Sequence, residues 1–89
     1  MSNAERTDAF RGIAHPLRRK VLRLLDEGER SVGQMLTVFH VPWPTLSRHL
    51  AVLRETGLVT QRVSGPYRLY RLRPGAIGRV RRWLTQFEA

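Results

Sequence analysis

Residues 42–57, PWPTLSRHLAVLRETG, read as one amphipathic helix. Leu46, Leu50 and Leu53 recur at i, i+4 and i+7 and define a buried face. Trp43, Thr45, Ser47, Arg48 and Arg54 project mostly elsewhere, which leaves a polar, basic outer face. Gly57 is placed to close the helix, and Leu58 can make the hydrophobic contact that accompanies a glycine cap. A helix with an ordinary core face and an exposed basic face is suited to presentation in a groove.

The flanking sequence builds a support around it. Ser31 to Phe39 predicts a shorter helix, with Ser31 and Gln34 at capping-box spacing and Val32, Met35, Leu36 and Phe39 inward. His40-Val41-Pro42 is the tight link between the two helices, and Glu29-Arg30 is expected as a short extended edge before them. Further upstream, Asn3 to Ala14 reads as a first helix with Ala9, Phe10, Ile13 and Ala14 apolar. Pro16 suits the first turn of a second helix, whose inward stripe is Leu17, Val21, Leu24 and Leu25 and which ends at Gly28. Arg18, Arg19 and Lys20 fall on its other faces, either solvated or on phosphate. Downstream, Leu58 to Val63 alternates as a strand, Ser64-Gly65-Pro66 is a turn, and Tyr67 to Leu72 is a second strand. Arg73-Pro74-Gly75 breaks the chain before a last helix from Ala76 to Phe87, with Ile77, Val80, Leu84 and Phe87 on one stripe and Trp83 adjoining.

Composition points to a polyanionic partner. The 89 residues carry a net charge of +9, and the excess is uneven: residues 1–39 contribute +2 and residues 40–89 contribute +7. Fifteen of the sixteen basic residues are arginine, whose forked donors fit phosphate and guanine. There is no cysteine, so disulfides, thiolate metal sites and cysteine nucleophiles are excluded together. No apolar run approaches the roughly 18 residues needed to span a bilayer, and MSNAERTDAF has no apolar signal core. The expectation is a cytoplasmic protein without a membrane partner. No Ser-His-Asp grouping, carboxylate pair or glycine-rich phosphate loop argues for an enzyme.

The order of elements is therefore four helices, a hairpin and a fifth helix. The fold class is mainly α with a β-hairpin wing, a winged helix-turn-helix in a single domain over 1–89, with the helix-turn-helix at 31–57 and the wing at 58–72. In that arrangement the helix at 43–56 enters the major groove, which is about 12 Å wide. The wing at 62–68 reaches the minor groove or the backbone. Candidate base-contacting residues are Thr45, Ser47 and Arg48, early in the helix. Arg62 and Arg68 flank the hairpin tip around Ser64 and Gly65 as candidate wing contacts.

HPLRRKVLRLL, then GERSVGQM, then PTLSRHLAVLRETGLVTQRVSGPYRLYRL resemble the ArsR/SmtB family of bacterial repressors over residues 10 to 87. The resemblance implies a homodimer formed by the helices at 1–14 and 76–89, a palindromic double-stranded DNA operator, and repression by blocking transcription. It places the readers at Trp43, Thr45, Ser47 and Arg48, with His49 beside them. It places the dimer interface at Phe10, Ile13, Ile77, Val80, Trp83, Leu84 and Phe87. Trp43 stands where the family often has a polar residue, and Pro42 stands at its usual serine cap, so the first turn departs from the pattern. The family's Cys-x-Cys metal site falls on Ser31 and Gly33, and the last helix has only Glu88 of the acid and histidine ligands used elsewhere. His15, His40 and His49 fall on separate elements. The expectation is no metal and no cofactor, with any small-molecule effector unknown. Trp83 and Phe87 read as a dimer seam or as a pocket at that seam for an apolar effector. The alternative function is a winged-helix module for protein interaction or RNA binding, with Tyr67 and Tyr70 stacking on bases, although the more ordinary role for Tyr70 is packing of the wing on the core.

Overall fold

The computed structural model describes residues 9–87. Asn3, Glu5 and Asp8 of the expected first helix lie outside the described residues, as does Glu88. Residues 9–13 are helical (α1). They are followed by α2 (Pro16–Asp26), β1 (Arg30–Ser31), α3 (Val32–Val38), α4 (Trp43–Glu55), β2 (Val59–Ser64), β3 (Tyr67–Leu72) and α5 (Ala76–Thr85). The expected strand at Glu29-Arg30 forms one residue later and pairs antiparallel with β3, Arg30 opposite Tyr70. The sheet order is β1-β3-β2, so the hairpin is anchored at the middle of β3 by the strand that leads into α3.

The core is built where α2, α4 and the hairpin root meet. Met35, Leu46, Leu50, Leu53, Leu58 and Val21 are its largest fully buried side chains. The inward face of α2 is Val21, Leu22 and Leu25, with Leu17 and Leu24 only half-buried, which corrects the stripe expected from sequence. The reason is tertiary: α2 packs against both α4 and β3, so its buried arc turns to include Leu22. Ala14, expected inward, is exposed. Every buried side-chain nitrogen or oxygen among the described residues has a hydrogen-bond partner.

Local signals account for the helix ends. Ser31 Oγ accepts from Gln34 N at 3.1 Å and Gln34 Oε1 accepts from Ser31 N at 2.8 Å, a complete capping box. At the end of α4, Gly57 N donates to Arg54 O and Leu58 N donates to Leu53 O, while Gly57 takes φ 75°. This is a Schellman closure, and a left-handed residue there favours glycine. It also turns Leu58 into the core and launches β2 at a fixed angle to α4.

Gly12 fixes how α1 lies on this frame. A Cβ at that position would fall 2.6 Å from Thr56 Oγ1 and against Leu58 Cδ1. The helix can therefore seat on the α4–β2 junction only without a side chain there.

Candidate nucleic-acid interface

The start of α4 does without a side-chain cap. Pro42 is the N-cap residue and makes no side-chain bond. Its carbonyl instead accepts from Thr45 N at 3.0 Å and Leu46 N at 3.2 Å. Pro44 removes one of the amides that a helix start leaves unpaired. The Pro-Trp-Pro turn thus replaces the usual hydroxyl cap by having fewer donors to satisfy.

With Leu46, Leu50 and Leu53 buried, the opposite face of α4 is available. Trp43 and Arg48 are exposed, and Thr45 and Ser47 are half-buried. Arg48 forms no ion pair among the described residues. His49 is placed differently from the other expected readers. Its Nδ1 lies 3.1 Å from Arg18 Nη1, and its ring lies 4.3 Å from that of His15, centroid to centroid. The structure thus brings together two histidines that sequence reading set on separate elements, and turns His49 toward α2. Burial holds the His49 imidazole below its ordinary value, with positive charge from His15, Arg18 and Arg48 adding to the effect.

Arg18 and Arg19, left open between solvent and phosphate, are committed to the protein. Arg18 Nε donates to Gly12 O at 2.8 Å and its Nη2 to Arg11 O at 3.0 Å, while Arg19 Nη1 donates to Ile13 O at 2.9 Å. Two guanidinium groups thereby satisfy the last carbonyls of α1, where positive charge is favourable. His15 Nδ1 accepts from Leu17 N at 3.0 Å and caps α2. Burial, with Arg11 nearby, draws the Arg18 guanidinium below the ordinary arginine value, yet arginine remains charged at neutral pH.

The wing is a hairpin with a two-residue connection. Ser64 pairs with Tyr67, and Gly65 at φ 58° with Pro66 makes the turn. Glycine with positive φ at the first turn position fits the type II′ geometry that matches strand twist. Ser64, Gly65 and Arg68 are exposed around the tip, and Arg68 forms no ion pair among the described residues. Arg62, expected beside them as a DNA contact, is held by Glu29: Nε and Nη2 donate to the two carboxylate oxygens at 2.9 and 2.8 Å. That bond holds the Glu29 carboxyl below its usual range and raises Arg62. Arg62 therefore ties β2 to the strand before α3. The pairing spans 33 positions in sequence and leaves no local signal.

A second tie joins the wing to α4. The Gln61 amide, oriented to satisfy both neighbours, donates to Tyr70 Oη at 2.8 Å and accepts from Arg54 at 3.2 Å. Tyr70 is 6% exposed. It packs in the core with its hydroxyl satisfied, the ordinary wing-to-core role, and is not open to stack on bases. Tyr67 stays exposed. Between α3, the first turns of α4 and the hairpin tip lies a cleft of about 490 Å³, lined among others by Trp43, Ser47, Tyr67 and Arg68.

The residues expected at a dimer interface divide into two sets. Val80 is buried in the core of the single chain, and Phe10, Ile13 and Ile77 pack partly against that core. Trp83, Leu84 and Phe87 are exposed, with Trp83 in edge contact with Phe10 at 5.1 Å and Phe87 at 4.8 Å. The regular part of α5 ends at Thr85, so Phe87 sits on a turn beyond the helix in which it was expected.

Two consecutive helices joined by a tight turn, the second with a buried leucine stripe and an open polar face, followed by a short antiparallel hairpin, define a winged helix-turn-helix protein. Residues 15–61 match the family described as bacterial regulatory protein, arsR family. The chain is 38% identical over 65 residues to the HTH-type transcriptional repressor SmtB of Mycobacterium tuberculosis, covering 73% of this chain and 48% of that protein. It therefore spans about half the length of that relative. It is 28% identical over 80 residues to the transcriptional repressor SdpR of Bacillus subtilis, covering 90% of this chain and 89% of SdpR. A crystal structure described as a possible transcriptional regulator for arsenical resistance is similar with a TM-score of 0.82 at 36% identity, covering 92% of this chain and 85% of the other. The chain belongs to the arsR family of bacterial regulatory proteins. No helix among the described residues is long and apolar enough to cross a membrane.

Proposed function

We propose that the protein is a sequence-specific, dimeric DNA-binding repressor acting on a palindromic operator in the cytoplasm. The observation that carries this reading is the open face of α4: Arg48 exposed, Thr45 and Ser47 half-buried beside it, above a stripe of three buried leucines. Inserted in the major groove, those early turns reach base edges. Arg68 with Ser64 and Gly65 at the hairpin tip meets the backbone or the minor groove, and the basic excess of residues 40–89 supplies the attraction to phosphate. Trp83, Leu84 and Phe87, with Phe10 beside them, pair with the same patch of a second copy. Relatives named as repressors support the direction of regulation. With two-fold symmetry, half-site centres lie about 34–36 Å apart, one helical turn, or a multiple of it.

The test is selection of bound duplexes from a random pool, followed by Arg48→Ala on the selected operator. Loss of one good base contact costs about 1–3 kcal/mol in discrimination. Enrichment of a palindrome, and loss of preference in the variant, is the expected result. Full operator preference in Arg48→Ala defeats the assignment of α4 as the reading helix.

A further inference from the structure

A helix in the major groove and a hairpin tip over the neighbouring minor groove straddle the sugar-phosphate strand that divides the two grooves. The cleft between α4 and the hairpin tip is where that strand has to run. Its lining is unusual for a protein surface. Trp43, on the first turn of α4, is 57% exposed, and Tyr67, the first residue of β3, is 60% exposed. Both line the same cleft, together with Pro66, Ser47 and Arg68. Leu50 and Tyr70 close it from the core side, and the Tyr70 hydroxyl is already bonded to Gln61. Among the described residues no carboxylate lines the cleft.

Two large aromatic faces left in water are costly unless something covers them. The occupant has to offer apolar surface to the rings and negative charge to Arg68. A deoxyribose-phosphate unit does both: its sugar presents C–H groups, and its phosphate accepts from arginine and hydroxyl donors. Bases of a duplex are paired and stacked, so they cannot lie flat on these rings. We infer that Trp43 and Tyr67 are a pair of jaws that grip one sugar-phosphate strand of duplex DNA, with Arg68 on its phosphate. This rests on the reading of α4 and the wing given above and extends it. Trp43 then adds affinity and fixes the register of the helix without reading sequence. The turn that departs from the family pattern is an anchor, and base reading is left to Thr45, Ser47 and Arg48.

The test uses the full chain and three probes: the selected operator, a random duplex of equal length, and the single strand of the operator. Burying the exposed part of either ring is worth roughly tenfold in affinity. Trp43→Ala and Tyr67→Ala are expected to weaken operator and random duplex by about that factor alike, while Trp43→Phe stays within about threefold of the parent. Arg68→Ala is expected to lower the salt slope by about one. Either duplex is expected to reduce acrylamide quenching of tryptophan emission in the parent but not in Trp43→Phe, where Trp83 is the sole tryptophan. Loss in Trp43→Ala confined to the operator makes Trp43 a base reader and overturns the jaws. Greater loss on the single strand than on duplex assigns the rings to unpaired bases and overturns them too. Unchanged binding, or no shielding, leaves the cleft empty, while the effect of Arg48→Ala still reports on α4. If the parent binds no duplex at all, the proposed function fails, and the jaws with it.

Discussion

Replacing Arg18 with alanine removes a side chain of α2 that bonds to both α1 and α4. Its guanidinium donates to Gly12 O and Arg11 O and lies 3.1 Å from His49 Nδ1. A hydrogen bond contributes roughly 0.5–1.5 kcal/mol net. Arg11 O is bonded at an exposed site and the other two are part-buried, so the lower half of that range applies. The three together come to about 2 kcal/mol. Loss of positive charge at the C-terminal end of α1 works in the same direction. For a domain of this size about 2 kcal/mol lowers Tm by roughly 10 °C, and it lowers the urea midpoint by about 1 M for a slope near 2 kcal/mol/M. Both are read by far-UV circular dichroism at one fixed chain concentration, because association would shift them. In a Trp43→Phe background, Trp83 emission is a local reporter, since the indole packs on Phe10 of α1. Arg18→Lys keeps the charge but has no planar fork to serve carbonyls and imidazole together. It should recover less than half of the loss. An unchanged midpoint in Arg18→Ala, or full recovery in Arg18→Lys, refutes the view that this guanidinium holds α1 in place.

The remaining expectations concern other parts of the molecule. His49 has a folded value below its ordinary 6.5, so the unfolded chain takes up the proton first as pH falls. Its contribution to stability is whole above about that pH and is lost as pH falls through the folded value. His49→Gln, which keeps an acceptor for Arg18 but does not titrate, should flatten the decline in urea midpoint between pH 7 and 5; an identical decline in both proteins sinks the assignment. Ser31→Ala removes the capping oxygen of α3 and should cost about 1 kcal/mol in thermal melts, whereas a shift within error would mean that α3 is held by packing alone. Leu50→Ala, at a site 1% exposed, should cost about 2–5 kcal/mol in the same melts; a smaller loss would show that the core between α4 and the sheet collapses around the gap. Leu84→Asp, at a side chain 49% exposed, should give folded monomers by sedimentation that no longer hold the operator. A dimer that survives it puts the interface elsewhere. Val80 is the poorer probe, because an acid there unfolds the core of the single chain.

The ties on the wing change what an arginine near a hairpin tip signifies. Arg62 and Arg68 look equivalent in sequence, six residues apart around a Gly-Pro turn. In the structure one is spent on Glu29 and the other is left for a partner. Through Glu29–Arg62 and Arg54–Gln61–Tyr70 the hairpin is thus tied by side chains both to the segment before α3 and to α4.

Most of the fold was legible in short-range pattern. The leucines of α4 recur at helical spacing, Ser31 and Gln34 announce a helix start, Gly57 ends α4, and Tyr67 to Leu72 alternates as a strand; each signal lies within one element, where chain geometry alone relates the residues. The class of function was legible too, from the basic outer face of one helix and the placement of the net charge. What only the tertiary structure decided is the set of partners distant in the chain. Leu22 turns inward because α2 has two neighbours, and Gly12 is needed because α1 crosses the α4–β2 junction. His49 leaves the presumed reading face for His15 and Arg18, and Arg62 is bound by a carboxylate 33 residues away. Such pairings depend on how elements dock, and docking is set by the whole core. No local window of sequence carries that information, so the cleft between Trp43 and Tyr67 appears only once the chain is folded.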